Sequence, residues 1–586
     1  MKKYAILSIV VIFCLLLPLN LSAQSKRVTA GYLIDLVNPE RKLFGVRADF
    51  DFPTPMDSVV FTIDETDNHY TESYSEYISL VKLYTLDSVE VPLTPIGNNG
   101  WVARKISGKY FMRYFVAIEH PLKMSQYGFD ETPYFHGTRG ILIGTAFIIY
   151  PMLESPDKPV DIKLKFDLSE GAIAALPNKR IGPNEYIAPG YDHIMNAYWA
   201  VGTFDTLMIG DENYPLRVAV QRNAFKFSQE HLIGNIRGIW EDLCDVFKFP
   251  PEFQPLLIVS EFPFVENMPQ MYNAGAASPG SINIMLDPKL TEDELDQNSG
   301  LIVYNLFTQW LPITFFPENR IGFSWLIRGG ANYYQLKLMA QLGLISEKEF
   351  LDRIASIYDY YSREFDQRQI SVRAARELPN AQGYIQNAEI LTAAMMDMRL
   401  VAYSSMPCSL DALLAALVRR YNGKTNTFTS EQFYELADTL SGLFLRPVLD
   451  SCINYNYKIE LPAQLRVFGI NLENVKNAQP DIGIQLAGFT NLTVEDVRRG
   501  GPAFNAGLEI GDKIVKLDGK PFNNINSVIN HILQKKIGSK IKVDYERRGK
   551  SYSTSIQVGG IDKYEISFMK NRTAEQVRLW NRYLGK

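Results

Sequence analysis

The sequence predicts a multidomain α+β protein, and three observations support this. Residues 28–168 form short runs rich in β-branched and aromatic residues, separated by Gly, Pro, Asn and Asp, which is typical of strands. Residues 346–465 instead carry apolar side chains at helical spacing. Strand patterns return at 470–560. The chain of 586 residues is 46% hydrophobic and 21% charged, which is enough for three or four domains.

The first 23 residues predict a secretory signal peptide. Lys2 and Lys3 precede an apolar run, and Leu21-Ser22-Ala23 forms a small-residue cleavage site. Pro18 interrupts the run, so a permanent membrane span is the weaker interpretation. No other stretch of the sequence is long and apolar enough to cross a bilayer. We therefore expect export to the periplasm or cell surface, with no transmembrane segment after signal cleavage.

Charge and cysteine content exclude two classes of protein. A net charge of −5 argues against nucleic acid as a main partner. After signal cleavage the chain keeps Cys244, Cys408 and Cys452, which is too few for a disulfide scaffold. Cys408 and Cys452 could pair in an oxidising compartment, or all three thiols could be free and buried. The sequence leaves both alternatives open.

Residues 24–170 are expected to form an antiparallel β-sandwich. Predicted strands are 30–36, 58–63, 78–84, 101–105, 110–118, 144–150 and 160–166.

Residues 171–345 alternate between strand and helix patterns. Strands are predicted at 216–220, 256–259 and 282–286, and a helix at 228–247. A second helix is expected over 300–310, with Thr291 and Glu294 as its capping box and Pro312 as its end. A third helix begins near Ser324.

The last two of these helices resemble the active-site helices of the glycyl aminopeptidase family of zinc metallopeptidases. In that family the first helix reads His-Glu-x-x-His-Thr-Trp and the second reads Trp-x-x-Glu-Gly-x-x-x-Tyr-Tyr. The residues of this chain that match are Trp310, Trp325, Gly329, Tyr333 and Tyr334. The resemblance implies a thermolysin-like (gluzincin) fold for 171–345 and a helical subdomain for 346–465.

The catalytic positions of the family pattern do not match. The two zinc-binding histidines fall on Tyr304 and Thr308, the general-base glutamate on Asn305, and the third ligand on Arg328. Tyr and Thr are not usual zinc ligands, and Arg328 brings a permanent cation. The resemblance therefore implies an inactive peptidase that needs no cofactor and binds no metal.

A third segment of the resemblance has also lost its functional side chains. The family's edge strand reads Gly-Leu-Glu-His-x-x-Ser, and here Gly275 and Ser281 remain while Ala277 and Ser278 replace Glu and His. The change from carboxylate to Ala277 and Arg328 predicts that the old cleft prefers acidic ligands. The alternative is that Arg328 forms an internal ion pair.

The last domain, predicted over 470–560, resembles a bacterial PDZ domain. The residues that carry this resemblance are Gly501-Pro502-Ala503, Ala506-Gly507-Leu508 and Gly511-Asp512-Lys513-Ile514. Residues 561–586 are expected to form a tail with a short helix.

The PDZ resemblance includes a candidate peptide site. Ile482-Gly483-Ile484 has the apolar-Gly-apolar form of a loop whose amides bind a terminal carboxylate. Val528 and Ile532, one helical turn apart, are predicted to line the pocket for the last side chain. The alternative is that Ile482 and Ile484 only fill the core.

No other catalytic motif replaces the lost one. None of the six histidines lies in a His-Glu-x-x-His pattern, and there is no Gly-x-Ser-x-Gly sequence. We therefore expect an exported, non-catalytic relative of the glycyl aminopeptidases that binds peptides or protein C-termini through its PDZ domain and its old cleft. The alternatives are a hydrolase with an unrecognised site and a purely structural envelope protein. The sequence does not identify the partner, the oligomeric state or the pathway.

Overall fold

The structure is a computed structural model. It describes residues 27–38, 42–63, 74–117, 134–136, 139–154, 158–262, 273–421, 425–487 and 492–586. The expected signal peptide lies outside the described residues. These residues form two compact units, the first within 27–197 and the second from Tyr198 to Lys586. None of the described helices combines the length and the apolar character that a membrane crossing requires.

The first unit is built on a ten-stranded sheet in the order β12-β13-β10-β1-β2-β6-β3-β4, with β5 beside β6 and β9 beside β2. The strands of this unit are β1 Thr29–Leu36, β2 Leu43–Ile63, β3 Ile78–Thr85, β4 Glu90–Val91, β5 Thr94–Ile96, β6 Gly100–Ala117, β7 Tyr134–His136, β8 Arg139–Ile143, β9 Ile149–Pro151, β10 Ile162–Leu168, β11 Ile173–Ala175, β12 Lys179–Gly182 and β13 Glu185–Ala188.

Three sequence-based expectations for this unit were wrong. The sheet is not purely antiparallel, because β1 and β10 pair in parallel. The two strands predicted at 101–105 and 110–118 are one strand, β6, because Gly108 (φ +87°) lies at a bulge in the β2–β6 ladder instead of a turn. The predicted strand 144–150 begins with a 3₁₀ turn over Gly144–Ala146, which packs so closely on Ile194 that an ideal Cβ at Gly144 would lie 2.0 Å from its carbonyl oxygen.

The second unit begins with an α/β region. Its five-stranded sheet has the order β15-β16-β17-β19-β18, in which β16, β17 and β19 are parallel and β18 is an antiparallel edge. The elements of this region are β14 Tyr198–Gly202, β15 Phe204–Ile209, β16 Leu216–Gln221, α1 Gln229–Phe247, β17 Leu256–Glu261, β18 Ala274–Ser278, β19 Ser281–Leu286, α2 Glu292–Asn298, α3 Gly300–Phe307, β20 Phe316–Pro317 and α4 Ser324–Gln341.

The capping box of Thr291 and Glu294 is present, but it begins a different helix from the one expected. Thr291 Oγ1 accepts the Glu294 N–H at 3.3 Å, and the Glu294 carboxylate accepts the Thr291 N–H at 2.8 Å. These bonds cap α2, which ends before Ser299, and α3 follows from Gly300. The predicted helix 300–310 is therefore regular only as far as Phe307.

Helices dominate the middle of the second unit, as expected. They are α5 Glu347–Arg368, α6 Val372–Ala375, α7 Gln382–Tyr403, α8 Leu410–Tyr421, α9 Ser430–Ser441, α10 Arg446–Ile453 and α11 Leu461–Val467, with the short strand β21 Thr427–Phe428 between α8 and α9. The C-terminal elements are β22 Ile470–Asp481, β23 Ile484–Leu486, β24 Val494–Val497, α12 Pro502–Asn505, β25 Lys513–Leu517, β26 Lys520–Pro521, α13 Ile525–Leu533, β27 Lys540–Arg547, β28 Lys550–Gln557, β29 Gly559–Phe568 and α14 Ala574–Tyr583.

The C-terminal domain is attached to the helices at both of its ends. Strand β22 enters the domain and strand β29 leaves it, and the two pair as an antiparallel ribbon. Helix α14 then packs against the helical region, where Trp580 Nε1 donates to Glu347 Oε2 at 2.9 Å. The Tyr564 N–H of the ribbon donates to Asp359 of α5 at 3.1 Å. The β22–β29 ribbon and helix α14 therefore both hold the C-terminal domain in position relative to α5.

Candidate functional site

The four residues at the family's metal and base positions lie on two packed helices. Tyr304 and Asn305 belong to α3, Thr308 follows its last turn, and Arg328 lies one turn into α4. Ala277 and Ser278 lie on the edge strand β18, which packs against α3. The tertiary structure thus brings together the segments that the family resemblance indicated.

Strand β18 passes unusually close to α3. An ideal Cβ at Gly275 would lie 2.7 Å from Asn305 Nδ2 and 2.7 Å from Ile284 Cδ1, so a larger residue here would have to displace both side chains. Asn305 is buried, and its Nδ2 donates to the carbonyl of Leu301 at 2.8 Å. Asn305, at the expected general-base position, is therefore hydrogen-bonded to the backbone of its own helix.

Gln309, which the sequence reasoning did not single out, fastens the edge strand to the helix. Its Nε2 donates to the carbonyl of Ser278 at 3.1 Å, and its Oε1 accepts the N–H of Gly280 at 3.1 Å. Ser278 thus contributes through its backbone. A buried polar side chain next to a Gly-containing hairpin is the signal that could have identified this contact.

Arg328 forms an internal ion pair, which is the alternative that the sequence left open. Its Nε donates to Glu389 Oε2 at 2.9 Å. Glu389 lies on α7 and is 1% exposed. Its other oxygen accepts from Arg376 Nη2 at 2.6 Å and from Ser324 Oγ at 2.6 Å. One buried carboxylate is thus held by two guanidinium groups and a hydroxyl.

The sequence reasoning missed Glu389, Arg376 and Ser324. A glutamate within the apolar run Ala388-Glu389-Ile390-Leu391 was the available signal, because an acidic side chain is rarely buried without a partner.

Tyr304 lies beside this cluster. Burial raises the pKa of the Tyr304 phenol, and Glu389 adds to this while Arg328 opposes it. Tyr304 is therefore a neutral hydrogen-bonding group at neutral pH and not a phenolate ligand. Among the described residues, no group of three or more His, Cys, Asp or Glu side chains is placed to hold a metal ion.

Tyr333 and Tyr334 of the family pattern belong to a second buried cluster. Tyr333 donates to Asp397 Oδ2 at 2.5 Å, and the Tyr334 hydroxyl donates to Asp411. Lys337 Nζ lies 2.9 Å from Asp397 Oδ2 and 3.0 Å from Asp411 Oδ1. The matching tyrosines thus have a structural role in joining α4 to α7 and α8.

The same cluster reaches the end of the chain. The hydroxyls of Tyr333 and Tyr583 are 2.8 Å apart, so α14 contributes directly to the buried network. Burial acts to lower the pKa of Lys337, but Asp397 and Asp411 outweigh it and raise the pKa above its usual value. Lys337 is therefore charged, and its charge is balanced inside the protein.

The three described cysteines are all free thiols. Cys408 and Cys452 are buried and do not pair, and Cys244 is half-buried. Of the two alternatives left open by the sequence, the structure has the unpaired one.

In the predicted carboxylate-binding loop, two backbone N–H groups lack a hydrogen-bond acceptor within the described chain. Gly483 lies between β22 and β23 with φ +77°, a conformation that favours glycine. The carbonyls of Ile482 and Gly483 accept from Ala503 N at 2.8 Å and from Arg498 N at 2.9 Å. In the described part of the chain, the N–H groups of Ile482 and Gly483 have no such partner. Two adjacent backbone donors of this buried loop are therefore left without an acceptor among the described residues.

The side chains predicted to line the peptide pocket differ in burial. Ile482 and Val528 are each 1% exposed and belong to the domain core, as does Ile532. Ile484 is only half-buried against the same core. Thus Ile482 and Val528 fill the core, whereas Ile484 keeps an accessible apolar surface.

Further apolar surface lies near these residues. Leu486 of β23 and Ile525 of α13 are half-buried against the same core, and Ile529 of α13 is exposed. Among the described strands, β23 pairs only with β24, so its second edge is open to another strand. An open edge beside half-buried apolar side chains is the arrangement that accepts an extended peptide.

Comparison with known proteins identifies the domain and the fold. A family model described as "PDZ domain" matches residues 467–558. A solved structure of an aminopeptidase N family protein from Idiomarina loihiensis is 14% identical and has a TM-score of 0.72, covering 94% of this chain and 100% of that one. An M1 zinc metallopeptidase from Deinococcus radiodurans is 13% identical with a TM-score of 0.41, covering 73% of this chain and 94% of the other.

One curated relative also matches. A "putative zinc metalloprotease" of Lactococcus lactis is 34% identical over 83 residues, or 14% of this chain. The chain spans about a fifth of the length of that relative, 19%. At the identities of the solved structures the likeness concerns the fold. The described chain thus has the fold of an aminopeptidase N family protein and carries a PDZ domain at residues 467–558.

Proposed function

We propose that the protein is an exported, non-catalytic relative of the aminopeptidases that binds peptides or protein C-termini through its PDZ domain. The observation that carries this proposal is the pair of unbonded amides at Ile482 and Gly483, next to the open edge of β23. Backbone amides that converge on a carboxylate give charge-assisted hydrogen bonds of about 1.5–3 kcal/mol each. The half-buried Ile484 supplies apolar surface for the terminal side chain.

The chemistry of the old peptidase site supports a role without catalysis. A zinc peptidase needs nitrogen, sulfur or carboxylate ligands around the metal and a base beside its water. Here the corresponding positions carry a neutral phenol, a buried amide, a hydroxyl and a guanidinium. The nearby carboxylate, Glu389, is already occupied by Arg328 and Arg376. An acidic ligand in the old cleft would have to compete with Glu389 for Arg328, so we assign ligand binding to the PDZ domain.

Export is part of the same proposal and rests on the sequence. The charged start, the apolar run and the small-residue cleavage site of residues 1–23 support it. Peptides and protein C-termini exposed in the periplasm or at the cell surface are then the available ligands.

Binding of labelled peptides to the full mature chain tests this function. A peptide with a free, apolar C-terminal residue should bind, and amidation of its terminus should weaken binding about tenfold, or about 1.4 kcal/mol. Ile484→Glu should abolish binding, because it places a charge on the apolar surface of the groove, and its melting curve checks that the variant is folded. Equal affinity for free and amidated peptides, or no binding of either, contradicts the proposal and favours a structural envelope protein.

A peptidase screen distinguishes the proposed binding protein from the remaining alternative, a hydrolase. If the chain is a hydrolase with an unrecognised site, hydrolysis of glycyl or alanyl anilides should exceed the buffer blank. We expect it to match the blank.

A further inference from the structure

A cavity of about 230 Å³ lies between helix α5 and the PDZ domain. On the helix side it is lined by Tyr360, Arg363, Glu364 and Gln367. Their spacing of three and four residues places them on one helix face. This face of α5 is therefore directed at the domain that carries the peptide groove.

On the domain side, the cavity is lined by polar residues around the β23–β24 ladder and by two apolar ones, Ile484 of β23 and Ile561 of β29. The polar residues nearest the ladder are Gln485, Asp496 and Arg498. Successive side chains of a strand point to opposite faces of the sheet. Within β23, Ile484 and Leu486 pack against the domain core, so the exposed Gln485 between them lies on the outer face.

A peptide that pairs with the open edge of β23 continues this alternation. If its last side chain enters the apolar groove on the Ile482 and Ile484 side, its penultimate side chain and the fourth from its end point to the outer face. In an isolated PDZ domain that face is exposed to solvent. In this protein α5 lies on the opposite side of the cavity from that face.

We propose that α5 forms the second wall of the peptide site and selects the outward-facing side chains of the bound peptide. This inference rests on the proposed function of the PDZ groove. In this arrangement, residues of the helical region, outside the PDZ domain, help to determine which peptides bind. The attachment of the domain through the β22–β29 ribbon and α14 holds this wall in place.

The charges of the cavity indicate which side chains it selects. Most of them are already paired: Arg498 with Asp481 at 2.6 Å, Arg363 with Asp359 at 2.6 Å and Glu364 with Arg368 at 2.8 Å.

Asp496 is the exception. It is exposed, and no ion pair to it is found among the described residues. It lies opposite Gln485 in the β23–β24 ladder, on the outer face. The uncompensated charge of the cavity is therefore negative, and the side chains it prefers are basic.

Six-residue peptides that end in a free valine test the inference on the full mature chain. Lysine at the penultimate position and at the fourth position from the end should bind about two- to fivefold more tightly than glutamate at both. The same exchange at the third position from the end, which faces the groove, is the internal control. Asp496→Asn should remove most of the lysine preference, whereas Glu546→Gln, an exposed acid elsewhere in the domain, should preserve it.

A substitution on α5 provides the decisive comparison, because it leaves the PDZ domain unchanged. Gln367→Lys puts a cation into the cavity and should shift the preference toward the glutamate peptide. Ser356→Lys lies on the same helix about 16 Å away and should behave as the parent chain. If valine-ending peptides bind but lysine and glutamate are equivalent and Gln367→Lys changes nothing, the α5 wall is refuted while the PDZ function stands. Failure of every peptide to bind refutes both.

Discussion

Arg328 Nε donates to Glu389 Oε2 at 2.9 Å and so joins α4 to α7, at the residue where the sequence resemblance led us to expect a metal ligand. Arg376 holds the other oxygen of the same carboxylate. The ion cluster at this helix junction holds two cations and one buried anion, so it carries one net positive charge.

The first prediction concerns this cluster. Glu389→Gln removes the anion between two guanidinium groups and should destabilise the protein by about 1–3 kcal/mol, because two half-buried guanidinium groups lose their counter-charge. Urea unfolding of the variant measures this. Glu435→Gln, an exposed glutamate 3.9 Å from Arg420, is the matched control and should cost less than about 1 kcal/mol. Equal stabilities of the two variants would contradict the structural role of Glu389.

The second prediction concerns zinc. The purified mature protein should contain no stoichiometric zinc after mild dialysis, because the positions of the three ligands carry Tyr304, Thr308 and Arg328. Asn305→Glu should not produce hydrolysis of glycyl anilides, since a base without a metal-bound water has little to activate. Elemental analysis that finds about one zinc per chain would overturn the non-catalytic assignment.

The third prediction concerns the buried network around Lys337. Lys337→Met leaves Asp397 buried without its counter-charge and should cost about 3–5 kcal/mol of unfolding free energy. Lys348→Met breaks an exposed pair with Asp352 on α5 and should cost at most about 1 kcal/mol. Denaturant titrations of both variants provide the comparison. A similar loss in both would mean that Lys337 contributes no more than a surface charge.

The fourth prediction concerns pH. Burial, followed by the charges of Asp245, Glu241 and Asp411, raises the pKa of Asp242 to about 6. Between pH 4 and pH 6 the unfolded chain therefore releases this proton while the folded protein retains it, so stability falls as pH rises through this window.

Asp242→Asn removes that penalty. It should stabilise the protein by about 1 kcal/mol at pH 7.5, after allowance for solvent screening of a half-buried group, and have little effect near pH 4. Thermal unfolding at the two pH values measures this, with the exposed Glu212→Gln as control. Stabilisation by Asp242→Asn that is the same at both pH values would exclude the titration of Asp242 as its cause.

The fifth prediction concerns the cysteines. Burial raises the pKa of Cys244 and of Cys452 to about 12, and it also raises the pKa of Cys408. At pH 8 the fraction of thiolate at the first two is then on the order of 10⁻⁴. A thiol reagent should label the native protein slowly and label three thiols once the protein is unfolded. Only one reactive thiol after unfolding without reductant would show that two of the three cysteines pair, and would contradict the free thiols of the structure.

Much of the local structure could be read from the sequence, because it depends on residues close together in the chain. The Thr291–Glu294 capping box, for example, needs only two side chains three residues apart, and it forms even though it begins α2 instead of the expected helix. The resemblance in the two helices and in residues 501–514 likewise indicated the fold and the PDZ domain. Both are confirmed by the comparisons.

Only the tertiary structure decided the relationships between distant segments. The sequence could not tell whether Arg328 faces a ligand or a partner, because Glu389 lies 61 residues away. It likewise could not place β10 parallel to β1, or position α5 across the outer face of β23. These features follow from which surfaces pack together, and the energy of packing depends on the whole fold and not on any local pattern.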